Sequence, residues 1–151
     1  MGTTNNKNLA TFIHLSTLSQ YCIPFGNYIF PILIWSTNKD KSEFIDFNGK
    51  PVLNFQLSIL LYTLILAIIA VPILIVGVFS NISLNDIIHE HYFGANHLSI
   101  KNISGIVIIA LIAIFIFLGL KCAEFFLIIF ASLKASNGEE YKYPLTIPFI
   151  K

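Results

Sequence analysis

Asp86, His89, Glu90, His91 and His97 crowd into one short polar stretch and bring together the side chains that ligate metals or titrate near neutral pH. Their order is not that of a metal site. The H-E-x-x-H pattern that stacks two imidazoles one helical turn apart is missing, and His89 and His91 would diverge on a helix. We therefore expect a solvated or interfacial loop with Ile87, Ile88, Tyr92 and Phe93 toward lipid, and keep His89, His91 and His97 only as weak metal or pH-sensing candidates. Lys121 and Glu124 lie three residues apart, a spacing that puts them on one helix face and permits an ion pair. The pair would either anchor a helix at a membrane boundary, with Lys121 reaching outward, or line an ion or proton path; anchoring is the favoured reading. Cys22 and Cys122 stand singly in apolar runs and read as buried small hydrophobes. No catalytic constellation and no cofactor motif emerges, so neither an enzyme nor a cofactor is expected. Nine cations, all lysine, face eight anions, which gives no field to gather nucleic acid and none of the bidentate phosphate clamps that arginine supplies.

The elements that must carry these residues are membrane elements. The chain has 151 residues, 56% apolar and 11% charged, with a mean hydropathy of +0.77, outside the range of soluble domains. From Leu9 to Trp35 there is no Asp, Glu, Lys or Arg. Pro24, Gly26 and Pro31 interrupt that run, so its helix breaks at Ile23-Pro24-Phe25-Gly26-Asn27 and restarts before Pro31. The segment is either one kinked span or a helical hairpin, Leu9–Cys22 against Asn27–Ser36, with the Pro-Phe-Gly turn in the membrane and shielded by other helices. A second span is expected to start at Pro51, a good first helical residue, and to run to about Ser80. A third runs from about Ile103 to Lys134, too long for the hydrocarbon core, so its last turns beyond Lys121 and Glu124 should emerge from it. The fold class is thus all-α: an integral membrane bundle of three to four membrane helices in a single domain, residues 1–151, with a polar histidine-containing loop at 81–102.

Lysines set the orientation. If each segment crosses once, six lysines share the side of the Ser36–Lys50 loop and the C-terminal tail, against Lys7 and Lys101 opposite; a hairpin moves Lys7 across and makes the bias seven to one. Either way the C-terminus faces the cytoplasm. Within the apolar segments His14, Asn27, Asn54 and Gln56, like Lys121 and Glu124, are the intramembrane polar candidates. They serve as interhelical hydrogen-bonding glue or as the lining of a polar conduit, and glue is favoured. Asn27 and Asn54 are expected to serve backbone freed at the Pro-Phe-Gly break. Asn137-Gly138 reads as a helix end, after which Tyr141, Tyr143 and Pro144 begin a tail that either docks a partner or folds back.

The order of motifs adds a resemblance. His14-Leu15-Ser16, Ile23-Pro24-Phe25-Gly26-Asn27, Pro31-Ile32-Leu33-Ile34-Trp35, Phe47-Asn48-Gly49-Lys50, Leu53-Asn54-Phe55-Gln56-Leu57-Ser58, Lys134-Ala135-Ser136-Asn137-Gly138-Glu139 and Tyr143-Pro144-Leu145-Thr146-Ile147 follow in sequence. Over about residues 10–62 and 125–151 the chain resembles the bacterial membrane family related to the Tic-twenty subunit of the chloroplast inner-envelope translocon. The resemblance implies a small multi-pass protein of the bacterial inner membrane with about four helices, and it favours the hairpin and an inside N-terminus. The family's connection before the third segment is shorter, which makes 83–102 an insertion.

Two functions follow as expectations. The first is a non-enzymatic accessory or scaffold subunit of a larger membrane assembly, with the lipid bilayer, other membrane proteins and a second copy of the chain as partners. The alternative is a transport or protein-conducting component, by analogy with the plastid translocon.

Overall fold

In a computed structural model, residues 3–79 and 100–151 are described, and the expected histidine stretch with Asp86, His89, Glu90, His91 and His97 lies outside them. Among the described residues the chain is all-α. The helices are α1 (Thr4–Ser16), α2 (Gly26–Asn38), α3 (Glu43–Phe79) and α4 (Ile100–Asn137), with 3-10 turns at Thr17–Tyr21 and Lys39–Lys41.

Local chemistry explains each boundary. Thr3 caps α1, its hydroxyl accepting from the Asn6 amide at 3.4 Å. At the other end Ser16, Thr17 and Ser19 donate their hydroxyls to carbonyls three residues back, at 2.7, 2.7 and 2.6 Å. Such back-bonding competes with the α-helical ladder and tightens the chain into the 3-10 turn. The break then satisfies its own backbone. The Cys22 and Ile23 amides both reach the Ser19 carbonyl, at 3.0 and 2.8 Å, and Gly26 N–H reaches Ile23 at 3.0 Å. Asn27 and Asn54, expected to serve this break, are therefore engaged elsewhere. Phe25 turns the corner in the left-handed region, φ 61°, a conformation that a bulky residue adopts only when its neighbours enforce it. Gly26 follows because a side chain there would strike Ser19. Helix α2 accommodates Pro31 in its interior and packs back on α1 and the 3-10 turn.

Helix α3 starts at Glu43, eight residues before the expected Pro51. The extended Ser42 offers its carbonyl to the Ile45 and Asp46 amides, and Glu43 and Asp46 suit the positive end of the helix dipole. This first turn forms the helix upstream, so Pro51 becomes an interior residue. The last turn of α4 closes on Gly138, φ 86°: its amide reaches Ala135 and that of Glu139 reaches Lys134, both at 3.0 Å. That pair of bonds is a Schellman cap and places the helix end where Asn137-Gly138 predicts it.

The chain divides into two compact units, Met1–Leu61 with Leu120–Lys151, and Tyr62–Gly119. The second unit contains the most apolar parts of α3 and α4, and none of its described side chains is buried: Ile68, Val76, Leu111 and Phe115, like most of them, are exposed. Two stretches, Glu43–Val76 and Val107–Asn137, are long and apolar enough to cross a membrane, and only 6% of the residues in the most apolar window of each are buried. A soluble protein's core helix would be mostly covered; these present their apolar side chains to the surroundings. Helices α1 and α2, with 13 residues each, span only about 20 Å at 1.5 Å per residue, less than the hydrocarbon core.

Candidate functional site

The first unit buries polar side chains beside an apolar core that includes Ile13, Ile45, Val52, Phe55 and Ile128. His14, Thr17, Asn48, Gln56, Ser58 and Glu124 are fully buried, and Asn27, Asn54 and Ser132 nearly so, while Phe12, Phe25, Leu33 and Phe126 are exposed. Buried polar groups must be paired or they destabilise the fold by a few kcal/mol each. Here they pair across sequence distances that no local pattern reveals.

His14 lies between α3 and the tail. Its Nε2 is 3.1 Å from Asn48 Oδ1 and its Nδ1 is 2.8 Å from the Tyr143 hydroxyl. Asn48 Nδ2 donates to the Phe44 carbonyl at 2.9 Å, which turns Oδ1 toward the imidazole. The histidine must then carry its proton on Nε2 and accept from Tyr143 on Nδ1. Burial, reinforced by the neighbouring Tyr141 and Glu124, pushes the Tyr143 phenol well above its usual range, so that proton stays in place. Tyr143 also stacks on Phe55, centroids 4.2 Å apart and planes within 10°. Tyr141 meets Tyr143 edge-on at 5.2 Å and Phe130 at 5.5 Å, so an aromatic ladder runs from α3 through the tail to α4.

Beyond the ladder the tail lies on α3. Asn54 accepts from the Phe149 and Ile150 amides at 3.1 and 2.7 Å and donates to the Ile150 carbonyl at 2.9 Å. Ser58 Oγ accepts from Ile147 N–H at 2.9 Å. Tyr143, expected as a docking residue, is thus buried inside the chain, Tyr141 is half-buried in the ladder, and Pro144 is exposed.

A second cluster joins α4 to the 3-10 turn. Lys121 Nζ sits 2.8 Å from Glu124 Oε2 and 3.3 Å from Gln20 Oε1, and Gln20 Nε2 donates to Glu124 Oε1 at 3.1 Å. The expected ion pair forms, with Gln20 bridging both partners. Asn27 donates to Gln56 Oε1 at 2.8 Å, and Tyr28 O–H reaches the Gln56 carbonyl at 3.4 Å. Gln56 Nε2 is the one buried side-chain polar atom without a partner among the described residues. Trp35 Nε1 donates to Asp46 at 2.9 Å, and its ring lies where a side chain at Gly49 would stand. Lys7 Nζ reaches the Asn137 carbonyl at 3.2 Å, bringing the N-terminal helix to the end of α4.

Asn48 and Phe55 were not among the sequence candidates for this core; an Asn-Gly pair is a turn signal by composition, which hides the helical role of Asn48. Cys22 and Cys122, expected to be buried, are both exposed. Many large apolar side chains of the chain are exposed as well, so a small hydrophobe needs no interior. No group of three or more His, Cys, Asp or Glu side chains able to hold a metal occurs among the described residues.

A family model described as the magnetosome magnetite crystal formation protein family, MamF/MmsF, matches residues 5–150. The chain belongs to this family. The match overturns the resemblance to the Tic-twenty relatives, because every motif quoted for that resemblance lies within the residues that the MamF/MmsF model accounts for. Short strings of Pro, Gly, Asn and Ser between apolar runs are what a bilayer allows at helix breaks and contacts, and they recur in different membrane families for that reason. No curated protein and no solved structure matches this MamF/MmsF-family chain.

Proposed function

We propose that this MamF/MmsF-family protein is a non-enzymatic scaffold subunit of a membrane assembly that acts in magnetite crystal formation, seated in a bacterial intracellular membrane of inner-membrane origin. The observation that carries the proposal is the closed polar network buried in the first unit while many of its large apolar side chains are exposed. Its buried polar side chains bind one another and the tail backbone, and large apolar side chains such as Phe12, Phe25, Leu33 and Phe126 are left outside for lipid, other membrane proteins or a second copy of the chain. The family description supplies the process. In this reading α1 and α2 form a hairpin that dips into the bilayer, and both termini and the lysine-rich Lys39–Lys41 turn lie on the cytoplasmic side. The contact of Lys7 with Asn137 and the shortness of α1 and α2 support that geometry.

A second reading, an ion-conducting component, draws on one observation: a fully buried carboxylate, Glu124, on a stretch apolar enough to cross a membrane.

Purification at native expression level in mild detergent, with mass spectrometry of what remains bound, separates the two. Stoichiometric membrane companions are expected. A clean homo-oligomer that passes ions in liposomes would replace the scaffold with the conductor. The process is tested by expressing the chain in a magnetite-forming bacterium that lacks its own family member and measuring crystal dimensions by electron microscopy. Restored dimensions support the assignment, and unchanged defective crystals at normal expression refute it. Cysteine-accessibility labelling at Asn5 tests the geometry, since an external Asn5 is incompatible with the hairpin.

A further inference from the structure

The first unit contains an open groove of about 940 Å³, bounded by the end of α2, the Lys39–Lys41 turn, the start of α3 and the end of the tail. Its charge is unbalanced. Five lysines line it, among them Lys142 and Lys151 from the tail, against the three carboxylates Asp40, Glu43 and Asp46. Asp46 is already neutralised by Lys50 at 2.6 Å and held by Trp35. Lys39 and Lys142 form no ion pair among the described residues; each ammonium lies over an aromatic ring instead, Lys39 5.3 Å from Trp35 and Lys142 5.6 Å from Phe47. Among the described residues neither ammonium is engaged by a carboxylate, so both are left to meet an anion in the groove.

What adjoins the groove narrows the anion. Trp35 lines it, and the inclined i, i+3 ridge of α2 runs back from it through Ile32 to Ile29, both exposed, with exposed Leu33 flanking the ridge farther round the helix. An apolar stripe that ends in a tryptophan and then in lysines matches the profile of a lipid from chain to headgroup. A free phosphate would use the lysines and leave the stripe without a role. We infer that the groove seats the phosphate headgroup of an anionic phospholipid, with its acyl chains along the Ile29–Ile32–Leu33 stripe. The inference rests on the membrane geometry proposed above.

Trp35 is the single tryptophan of the chain and reports the site directly. The full-length protein is reconstituted into phosphatidylcholine vesicles containing increasing fractions of phosphatidylglycerol brominated near the head of its acyl chains, and quenching of Trp35 is followed. Half-maximal quenching should occur at a much lower fraction for brominated phosphatidylglycerol than for brominated phosphatidylcholine. Each juxtamembrane lysine strengthens such binding about fivefold, so Lys39→Gln with Lys142→Gln should raise the half-quenching fraction by about 25-fold. Both lysines are exposed, and Lys134→Gln, outside the groove, should leave the curve unchanged. Equal quenching by the two lipids, or identical curves for the wild type and the double variant, would overturn the inference. So would inorganic phosphate at millimolar concentration displacing the brominated lipid completely, which would make free phosphate the occupant. Normal incorporation into pure phosphatidylcholine vesicles keeps the membrane reading intact in any of these cases, and failure to incorporate at all would instead sink that reading.

Discussion

Replacing Asn54 with alanine should release the C-terminal tail while leaving the helices standing. The side chain, 6% exposed, makes three hydrogen bonds to tail backbone, two accepted from Phe149 and Ile150 and one donated to Ile150. At about 1 kcal/mol net for each bond the loss is about 3 kcal/mol, and at about 0.6 kcal/mol, the average in membrane bundles, it is still about 2 kcal/mol. A tenfold change in population corresponds to about 1.4 kcal/mol, so the opened tail should become about 25 to 140 times more populated. Amide hydrogen exchange in detergent measures this directly. The Phe149 and Ile150 amides should lose about that factor of protection, while amides in the middle of α4, which share no bond with Asn54, keep theirs. Ser58→Ala removes one bond to the tail, from Ile147 N–H, together with its own donation to the Asn54 carbonyl, and should cost about fivefold at the Ile147 amide. If Asn54→Ala leaves tail exchange at the wild-type rate, the tail is not held by this side chain and the assignment of its backbone partners fails.

Tyr143→Phe keeps the stack on Phe55 but leaves His14 Nδ1 buried without a donor. The thermal midpoint in detergent should fall by an amount equivalent to about 1–3 kcal/mol, and an unchanged midpoint would count against the His14–Tyr143 bond. Lys121→Met should destabilise more than the double change Lys121→Met with Glu124→Met, because the single change strands a buried carboxylate. A double-mutant cycle without positive coupling would refute the pairing. Gly49→Ala should push the Trp35 ring off α3, seen as a red shift in tryptophan emission; identical spectra would mean that the ring does not pack there.

How much of this was legible depended on whether the signal was local. Pro24, Phe25 and Gly26 mark the break because proline and glycine act on their own backbone, and Asn137-Gly138 marks the end of α4 for the same reason. Lys121 and Glu124 needed only a helix to meet. The start of α3 was misplaced because Pro51 is permitted at a first turn but does not create one; Ser42 and Glu43 do. The polar core was half visible. His14, Asn27, Asn54 and Gln56 stand out as polar residues in apolar segments, but which atom meets which is decided by folding. His14 and Tyr143 are 129 positions apart, and nothing in either neighbourhood names the other. The cysteines were placed inside by a rule for water-soluble interiors, which inverts when the surroundings are apolar.

The buried polar network bears on the choice between scaffold and conductor. A polar path through a membrane works by exchanging partners, so its side chains need spare hydrogen-bonding capacity and water in reach. In the first unit His14, Asn48 and Tyr143 form a closed sequence of donors and acceptors that ends on the Phe44 carbonyl, and Asn54 makes three bonds to the tail. Glu124 is neutralised by Lys121 and further held by Gln20. Among the described residues Gln56 Nε2 is the one buried side-chain polar atom with no partner, and its residue is fully buried. To conduct, the protein would have to open several of these bonds together, each costing more in an apolar surround than in water. A network so closed fixes where α1, α3, α4 and the tail lie relative to one another within the unit. Rigid placement of surfaces is what a scaffold requires and what a conduit must give up.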